Sequence, residues 1–448
     1  MSIQITKTKA EIALIGHFDA IKDELPGASW VRQLRAKAIG AFDTYGLPHR
    51  RIEEWKYTDL RSALKDAYPP ASAGATTVDG KAIDAALGAL AALDTQRIVF
   101  INGAFSAELS TTDAGGDLLD VRPMASALAA APDWLKTACD AIDGGADGDA
   151  TLALNAAFMS DGAAIRINDD ARCEKPILLI FARSGSQPQA TTVRNLICVG
   201  ANAHVALLEA YITLDHDAPA QTNTLTALQI AEGAQVHHIK FLSEGAATTH
   251  MANWLVQLSA DANYRAFQLS GHTALARNQL FVKFNGEGAT FDMAGAFVGR
   301  LREHCDTTLV VDHAVPRCTS HELFKTVLTD TARGVFQGKV IVRPDAQKSD
   351  GKQMAQALLL SETAEFDSKP ELEIYADDVV CGHGSTSAEL DEEQLFYLRA
   401  RGVPDAQARA LLTEAFIAEA IDQISDEDVR AALMDTTRIW LTTLTDRS

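Results

Sequence analysis

The sequence predicts a mainly β protein, a solenoid of stacked β-coils held between an N-terminal and a C-terminal helical region. Three observations lead there. Short strand-like runs follow one another through the middle of the chain without long helices between them, as in Thr307-Thr308-Leu309-Val310-Val311 and Gly338-Lys339-Val340-Ile341-Val342. A small, a polar and an apolar residue recur at the start of such runs. The copies are Ala203-His204-Val205, Ala234-Gln235-Val236, Ala262-Asn263-Tyr264 and Ala289-Thr290-Phe291, spaced by 31, 28 and 27 residues, with Ala364-Glu365-Phe366 as a further one. Repetition at that period is what stacked units produce, each burying its apolar face on its neighbours. Both flanks of this stretch change to helical spacing. A β-sandwich made from the same strands is the competing architecture.

At 448 residues the chain is long enough for more than one folded unit. Residues 1–150 read as mainly helical. Trp30 to Ile39 carries apolar residues at helical spacing, and Gly46-Leu47-Pro48 stops that helix. Arg51 to Leu60 reads as a turn and short helix anchored by Trp55 and Tyr57, two aromatics that could instead stack on a sugar or base. Residues 70–95, rich in Ala and Gly, read as loop with short helix, and Arg97-Ile98-Val99-Phe100-Ile101-Asn102-Gly103 as a strand and turn.

Residues 151–388 form the predicted β-coil region, and residues 389–448 return to helix. Asp391 is placed to cap a helix that ends near Arg401, where Gly402 suits the stop. Pro404 opens the next helix, whose apolar stripe Ala408, Leu411, Leu412, Ala415, Phe416 and Ile421 is interrupted by Glu419. Ser425 is placed to cap a last helix that lines up Val429, Leu433, Trp440 and Leu444. Such a bundle serves either as a packing cap or as a docking surface.

Composition excludes several function classes. With 47% apolar and 22% charged residues the chain is globular, and its formal charge of −20 opposes both nucleic acid and anionic membrane. The opening Met1-Ser2-Ile3-Gln4-Ile5-Thr6-Lys7 has no basic stretch followed by an apolar core, so no secretory signal is expected. No apolar run is long enough to cross a bilayer. The six cysteines, Cys139, Cys173, Cys198, Cys305, Cys318 and Cys381, are scattered and contain no CxxC, which fits a reducing cytoplasm. Gly334-Val335-Phe336-Gln337-Gly338-Lys339-Val340 fails as a phosphate loop. Three residues separate its glycines where four are needed, and Val340 has no hydroxyl for magnesium. This chain is therefore not expected to hydrolyse nucleotide itself. A GxSxG elbow, an HExxH helix and a dinucleotide fingerprint are also missing.

Cys381-Gly382-His383-Gly384-Ser385-Thr386, after the strand-like run Glu371 to Val380, carries the most chemical information. Residues two apart on a strand share a face, so Cys381 and His383 present a thiol and an imidazole side by side. Both are ligands for iron and zinc. A closed site needs four ligands, and no second pair stands nearby. Either the pair is an ordinary strand-end Cys and His, or a partner completes the site. Cys318-Thr319-Ser320-His321 has ligand-like spacing without a second pair, and His237-His238 face opposite sides of a strand. Asp377-Asp378, the carboxylates a polysaccharide-acting β-helix enzyme would need, are adjacent and so do not pair across one groove.

Several blocks resemble the SufB/SufD family of iron–sulfur cluster assembly proteins. They are Arg333 to Asp350, Leu358-Leu359-Leu360-Ser361, Lys369 to Asp378 and Leu395-Phe396-Tyr397-Leu398-Arg399-Ala400-Arg401-Gly402, with Gly46-Leu47-Pro48 and Glu54-Trp55-Lys56-Tyr57-Thr58-Asp59-Leu60 near the N-terminus. The likeness spans nearly the whole chain and is densest from about 280 to 403. Where SufB-like members have acids flanking a histidine, Gly382 and Gly384 flank His383, which resembles the SufD branch. The resemblance implies a right-handed parallel β-helix between helical regions. It implies a non-catalytic subunit of the SUF scaffold complex that pairs with a SufB-like subunit through the β-helix ends and binds a SufC-like ATPase through residues 389–448. The isolated chain could pair with itself. It implies that His383, with Cys381 beside it, faces a transient iron–sulfur cluster shared with the SufB-like partner. A purely structural subunit that ligates nothing is the alternative.

Overall fold

The computed structural model describes residues 7–71, 78–111, 118–143, 148–214 and 218–445. The segment Met1 to Thr6 inspected for a targeting signal lies outside them, as does part of the 70–95 loop. Among the described residues no helix is long and apolar enough to cross a membrane.

From Ala163–Ile167 to Val380–Ala388 the chain winds as a parallel β-helix. Successive strands alternate between two sheets, so neighbours within a sheet are one coil apart in sequence and run parallel. One sheet has ten strands and the other nine. This is the solenoid the repeat predicts, and the sandwich is excluded. The repeated alanines explain themselves. Ala203, Ala234, Ala262 and Ala289 sit at corners, fully buried in the lumen, immediately before strands of the ten-stranded sheet. The residue ahead of each, Asn202, Gly233, Asp261 and Gly288, has positive φ. A left-handed residue turns the chain, and only a small side chain fits inside the bend.

The ladder starts earlier than residue 151. Gln96–Ile101 pairs in parallel with Ile177–Arg183, and the hairpin strand Ala104–Ser106 closes that edge antiparallel. Asn102 and Gly103, both at positive φ, make the hairpin turn. Leu119–Pro123 closes the nine-stranded sheet in the same way against Ala163–Ile167. Both N-terminal edges are thereby capped.

Inward side chains form the lumen core, with stacked rings at Phe100, Phe181 and Tyr211. A charged network lies among them. His238 Nε2 is 2.9 Å from Glu209 Oε1, and Tyr211 Oη donates to Glu209 Oε2 at 2.6 Å. Lys240 Nζ lies 2.9 Å from both His250 Nε2 and Asn278 Oδ1, and His250 Nδ1 is 2.8 Å from Glu244 Oε2. Burial lowers the Lys240 ammonium to about 8 against the pull of Glu209 and Glu244.

Helices cover the outer faces. Ser29–Tyr45 and Ala150–Phe158 pack on each other, and Ala150–Phe158 lies on the nine-stranded sheet. Gly80–Leu87 and the C-terminal helices Asp405–Ile421 and Glu427–Thr445 cover the ten-stranded sheet. Asp391 caps Glu392–Ala400 as expected, accepting from the N–H groups of Glu393 and Gln394. The last helix differs from the reading. Asp426, not Ser425, accepts from the N–H groups of Asp428 and Val429, while the Ser425 hydroxyl turns to His237 Nδ1 at 3.0 Å. Glu419, which interrupts the stripe of Asp405–Ile421, pairs with Lys325 of strand Thr319–Leu328. That lysine side chain is 2% exposed and its ammonium sits 4.4 Å over the Phe416 ring.

This pair should respond asymmetrically. Glu419→Ala strands a buried ammonium and should cost about 2 kcal/mol, whereas Lys325→Met, which leaves a solvated glutamate, should cost about 1 kcal/mol or less. Hydrogen exchange along Asp405–Ile421 measures both as faster local opening.

Candidate functional site

The last coil consists of Glu365–Ile374 in one sheet and Val380–Ala388 in the other, joined by a bend containing Asp377 and Asp378. The run Glu371 to Val380 is therefore two strands and a corner rather than one strand. Pro370 cannot donate to a ladder, and Ala376 is buried at the corner. Each of the two strands has a neighbour on one side only.

Cys381 and His383 are alternate residues of Val380–Ala388. Cys381 continues the column Val236, Tyr264, Phe291, Ser320 and Gly351, and His383 the column His238, Ala266, Met293, Glu322 and Gln353. Both columns point into the lumen, where Cys381 packs against the core. The thiol and imidazole thus share the lumen face at its open end, the mouth. Cys381 is half-buried and His383 exposed. Burial raises the Cys381 thiol, Asp350 and Glu322 add to the rise, and the Gly351 N–H opposes it.

Below the pair the lumen is polar and incompletely partnered. A Cβ on Gly351 would lie 3.2 Å from Val340 Cγ1, 3.6 Å from Cys381 Sγ and 3.7 Å from Ser320 Oγ, so the glycine lets these three side chains close around it. Ser320 Oγ is 3.1 Å from His313 Nε2, and His313 Nδ1 has no partner. Gln353 spans the lumen, donating from Nε2 to the carbonyls of Gly338 and Glu371 at 3.3 and 3.2 Å, while its Oε1 is unpartnered. Glu322 is 2% exposed, and neither carboxyl oxygen makes a well-formed hydrogen bond among the described residues. Burial pushes this carboxyl up to about 8, against the Ser320 hydroxyl and with help from Asp292.

Sequence reading missed Glu322. The alternation Ser320, Glu322, Phe324 was its signal, since a strand that buries Phe324 must also turn Glu322 inward. The other candidates separate. Cys318 is buried at a corner with Sγ 3.5 Å from the carbonyls of Gly286 and Pro316, whereas His321 lies on the outer face between Asp292 and Asp350. His238 is locked into the lumen and His237 faces out. Trp55 is buried with the Arg277 guanidinium 4.4 Å from its ring, so it anchors its segment and offers no stacking platform. Among the described residues no three His, Cys, Asp or Glu side chains converge as a ready-made metal site. Cys381 and His383 offer two donors suited to iron or zinc. A cavity of about 650 Å³ lies against the outer face of this end of the sheet, lined by Arg265, Asp292, His321 and Lys352 and bordered by the strand that carries Cys381 and His383.

The sequence matches two family descriptions, the SufBD core domain of the SUF system for FeS cluster assembly over residues 181–416 and the SufBD protein N-terminal region over residues 9–179. It is 30% identical to the iron–sulfur cluster assembly protein SufD of Escherichia coli, across 87% of this chain and 88% of that protein. It is 33% identical to a SufBD family protein of Synechocystis, across 87% of each. SufD of Bacillus subtilis is 26% identical across 63% of this chain and 64% of that protein.

Glu322 gives the metal-free chain a pH signature. Its carboxyl is raised from 4.5 to about 8, so its contribution to stability is full below about pH 4.5 and is lost as pH rises to 8. Glu322→Gln removes that loss. Urea unfolding of both proteins at about pH 5 and about pH 8 should show the parent losing more stability than the variant over this interval.

Proposed function

The chain belongs to the SufB/SufD family of iron–sulfur cluster assembly proteins, as a SufD-type member, and from that membership we propose that it is the non-catalytic subunit of a SUF scaffold complex. Its place is opposite a SufB-like subunit, with which it shares iron and the nascent cluster as cargo. The observation that carries this reading is the mouth. Two strand edges stand uncovered there, although both edges at the other end are capped, and Cys381 and His383 occupy the rim. An exposed edge calls for a partner strand, and two donors from one chain call for more from another.

A SufC-like ATPase is assigned to the C-terminal helices. Phe396 and Tyr397, 73% and 56% exposed, and the exposed Leu411 and Ile439 give those helices large apolar side chains at the surface, the Tyr397 ring lying under the Arg401 guanidinium. ATP-driven pairing of two such subunits would move the helices and, through them, the mouth, a switch between two packings of an interface. His383 provides a nitrogen ligand and Cys381 a sulfur ligand, and a mixed Cys/His set suits iron–sulfur chemistry. The chain is placed in the cytoplasm and binds no nucleotide itself.

Anaerobic coexpression with SufB-like and SufC-like partners tests the reading. The His383→Ala complex should assemble normally and lose most of its iron and acid-labile sulfide. Equal iron and sulfide in both complexes would make this chain a structural subunit.

A further inference from the structure

Folded interiors leave few spaces larger than a water molecule, so a large hollow walled by ordered side chains asks for an occupant. Between the N-terminal helices and the outer face of the nine-stranded sheet, towards the opposite end of the stack from Cys381 and His383, lies a cavity of about 550 Å³. That is the size of a small-molecule site. Lys9–Ile21 forms one wall through Leu14, His17 and Ile21. Ala150–Phe158 forms a second through Leu154 and Phe158, and the sheet supplies a floor through Thr192, Asn223 and Met251.

These walls are held without a ligand. Phe158 meets Phe18 edge-on, with ring centroids 5.7 Å apart. The strap Tyr68 to Ala71 is pinned to strand Gln189–Val199. The Ala71 N–H donates to the Ala190 carbonyl and the Ala190 N–H to the Pro69 carbonyl, both at 2.8 Å. From strand Ala220–Ile230, Gln221 accepts from the Tyr68 N–H at 3.1 Å and donates to the Asp66 carbonyl at 2.6 Å. Segments remote in sequence thus converge on a preformed hollow.

The lining sets the chemistry of the occupant. Leu14, Ile21, Leu154, Phe158 and Met251 suit an apolar body. Two carboxyls, Glu24 and Asp161, border the cavity, and no lysine or arginine does among the described residues. A phosphate, sulfate or carboxylate entering it would lose hydration and gain no counter-charge. Two lining groups keep hydrogen-bonding capacity. His17 Nε2 is 3.3 Å from the Ala67 carbonyl, which only accepts, so in the neutral ring Nε2 carries the proton and Nδ1 remains an acceptor. The Tyr68 hydroxyl has no partner among the described residues. We propose that this cavity binds an uncharged amphiphile, a small molecule with an apolar body and one hydroxyl-type head held by His17 and Tyr68.

The test uses the full chain at neutral pH with N-phenyl-1-naphthylamine, an uncharged aromatic amine whose fluorescence rises in apolar surroundings, and with 1-decanol and decanoate as competitors. The probe should bind saturably, and decanol should displace it at about tenfold lower concentration than decanoate does. Thr192→Trp, which fills the cavity from its floor, should weaken probe binding by about tenfold or more. Glu24→Lys supplies a counter-charge at the rim and should narrow the gap between decanoate and decanol. Circular dichroism checks the fold of each variant. Should Thr192→Trp fail to fold, Leu14→Trp fills the cavity from the helical wall and decides. A parent that shows no saturable binding overturns the inference. Parental affinity in a folded filling variant overturns it too, by placing the probe elsewhere. Equal displacement by decanol and decanoate from the parent overturns the assignment of an uncharged occupant.

Discussion

A parallel ladder has no natural end, and this structure is organised around that constraint. Every coil from Ala163–Ile167 onward satisfies its backbone on the coils above and below, so each terminus of the stack exposes two rows of unpaired peptide groups. At the N-terminal end the chain solves the problem itself, by folding Ala104–Ser106 and Leu119–Pro123 antiparallel onto the outermost strands. At the C-terminal end it does not. Glu365–Ile374 and Val380–Ala388 run bare, with Ile374, Tyr375 and Val380 exposed. The two ends of the stack therefore differ, one closed by the chain's own hairpin strands and the other left open.

The lumen follows the same division. Phe324 and Phe336, with ring centroids 4.8 Å apart, lie between the deep charged network and the outer polar layer. On the deep side a buried lysine is tolerated because carboxylates and imidazoles surround it, and removing any member would strand another charge. On the mouth side Glu322, Gln353 and His313 are only partly satisfied among the described residues, with Gln353 Oε1 and His313 Nδ1 unpartnered.

Much of this was legible in the sequence because solenoids are built from local, repeated decisions. The corner alanines fixed the coil period, and strand alternation put Cys381 and His383 on one face without knowledge of the coil they belong to. What was illegible depends on register between coils. Nothing local to Glu322 shows that His383 ends its column, and nothing local to Lys240 shows His250 and Asn278 converging on it. The flaw at Glu419 in an amphipathic stripe was visible, but its cause, Lys325, lies 94 residues away. The cap at Asp426 was missed because Ser425 and Asp426 are equally good capping residues. A contact with His237, remote in sequence, decides between them.

The C-terminal helices are tied to the coils firmly enough to move them. Trp440 presses its six-membered ring onto Gly271, where a Cβ would lie 2.6 Å from Cζ3, and stacks on His272 and Phe241 at 5.0 and 5.7 Å. Lys325 anchors the neighbouring helix to a strand that lies two ladder steps from Val380–Ala388. A stiff sheet transmits such displacements along its stacking direction, because close-packed interiors yield by shifting as units rather than by local compression. A force applied to Asp405–Ile421 and Glu427–Thr445 therefore reaches the mouth across few intervening layers. The same strand, Thr319–Leu328, bears Lys325 on its outer face and Glu322 on its inner face. The anchor of the C-terminal helix and the buried carboxyl thus lie within four residues of one strand.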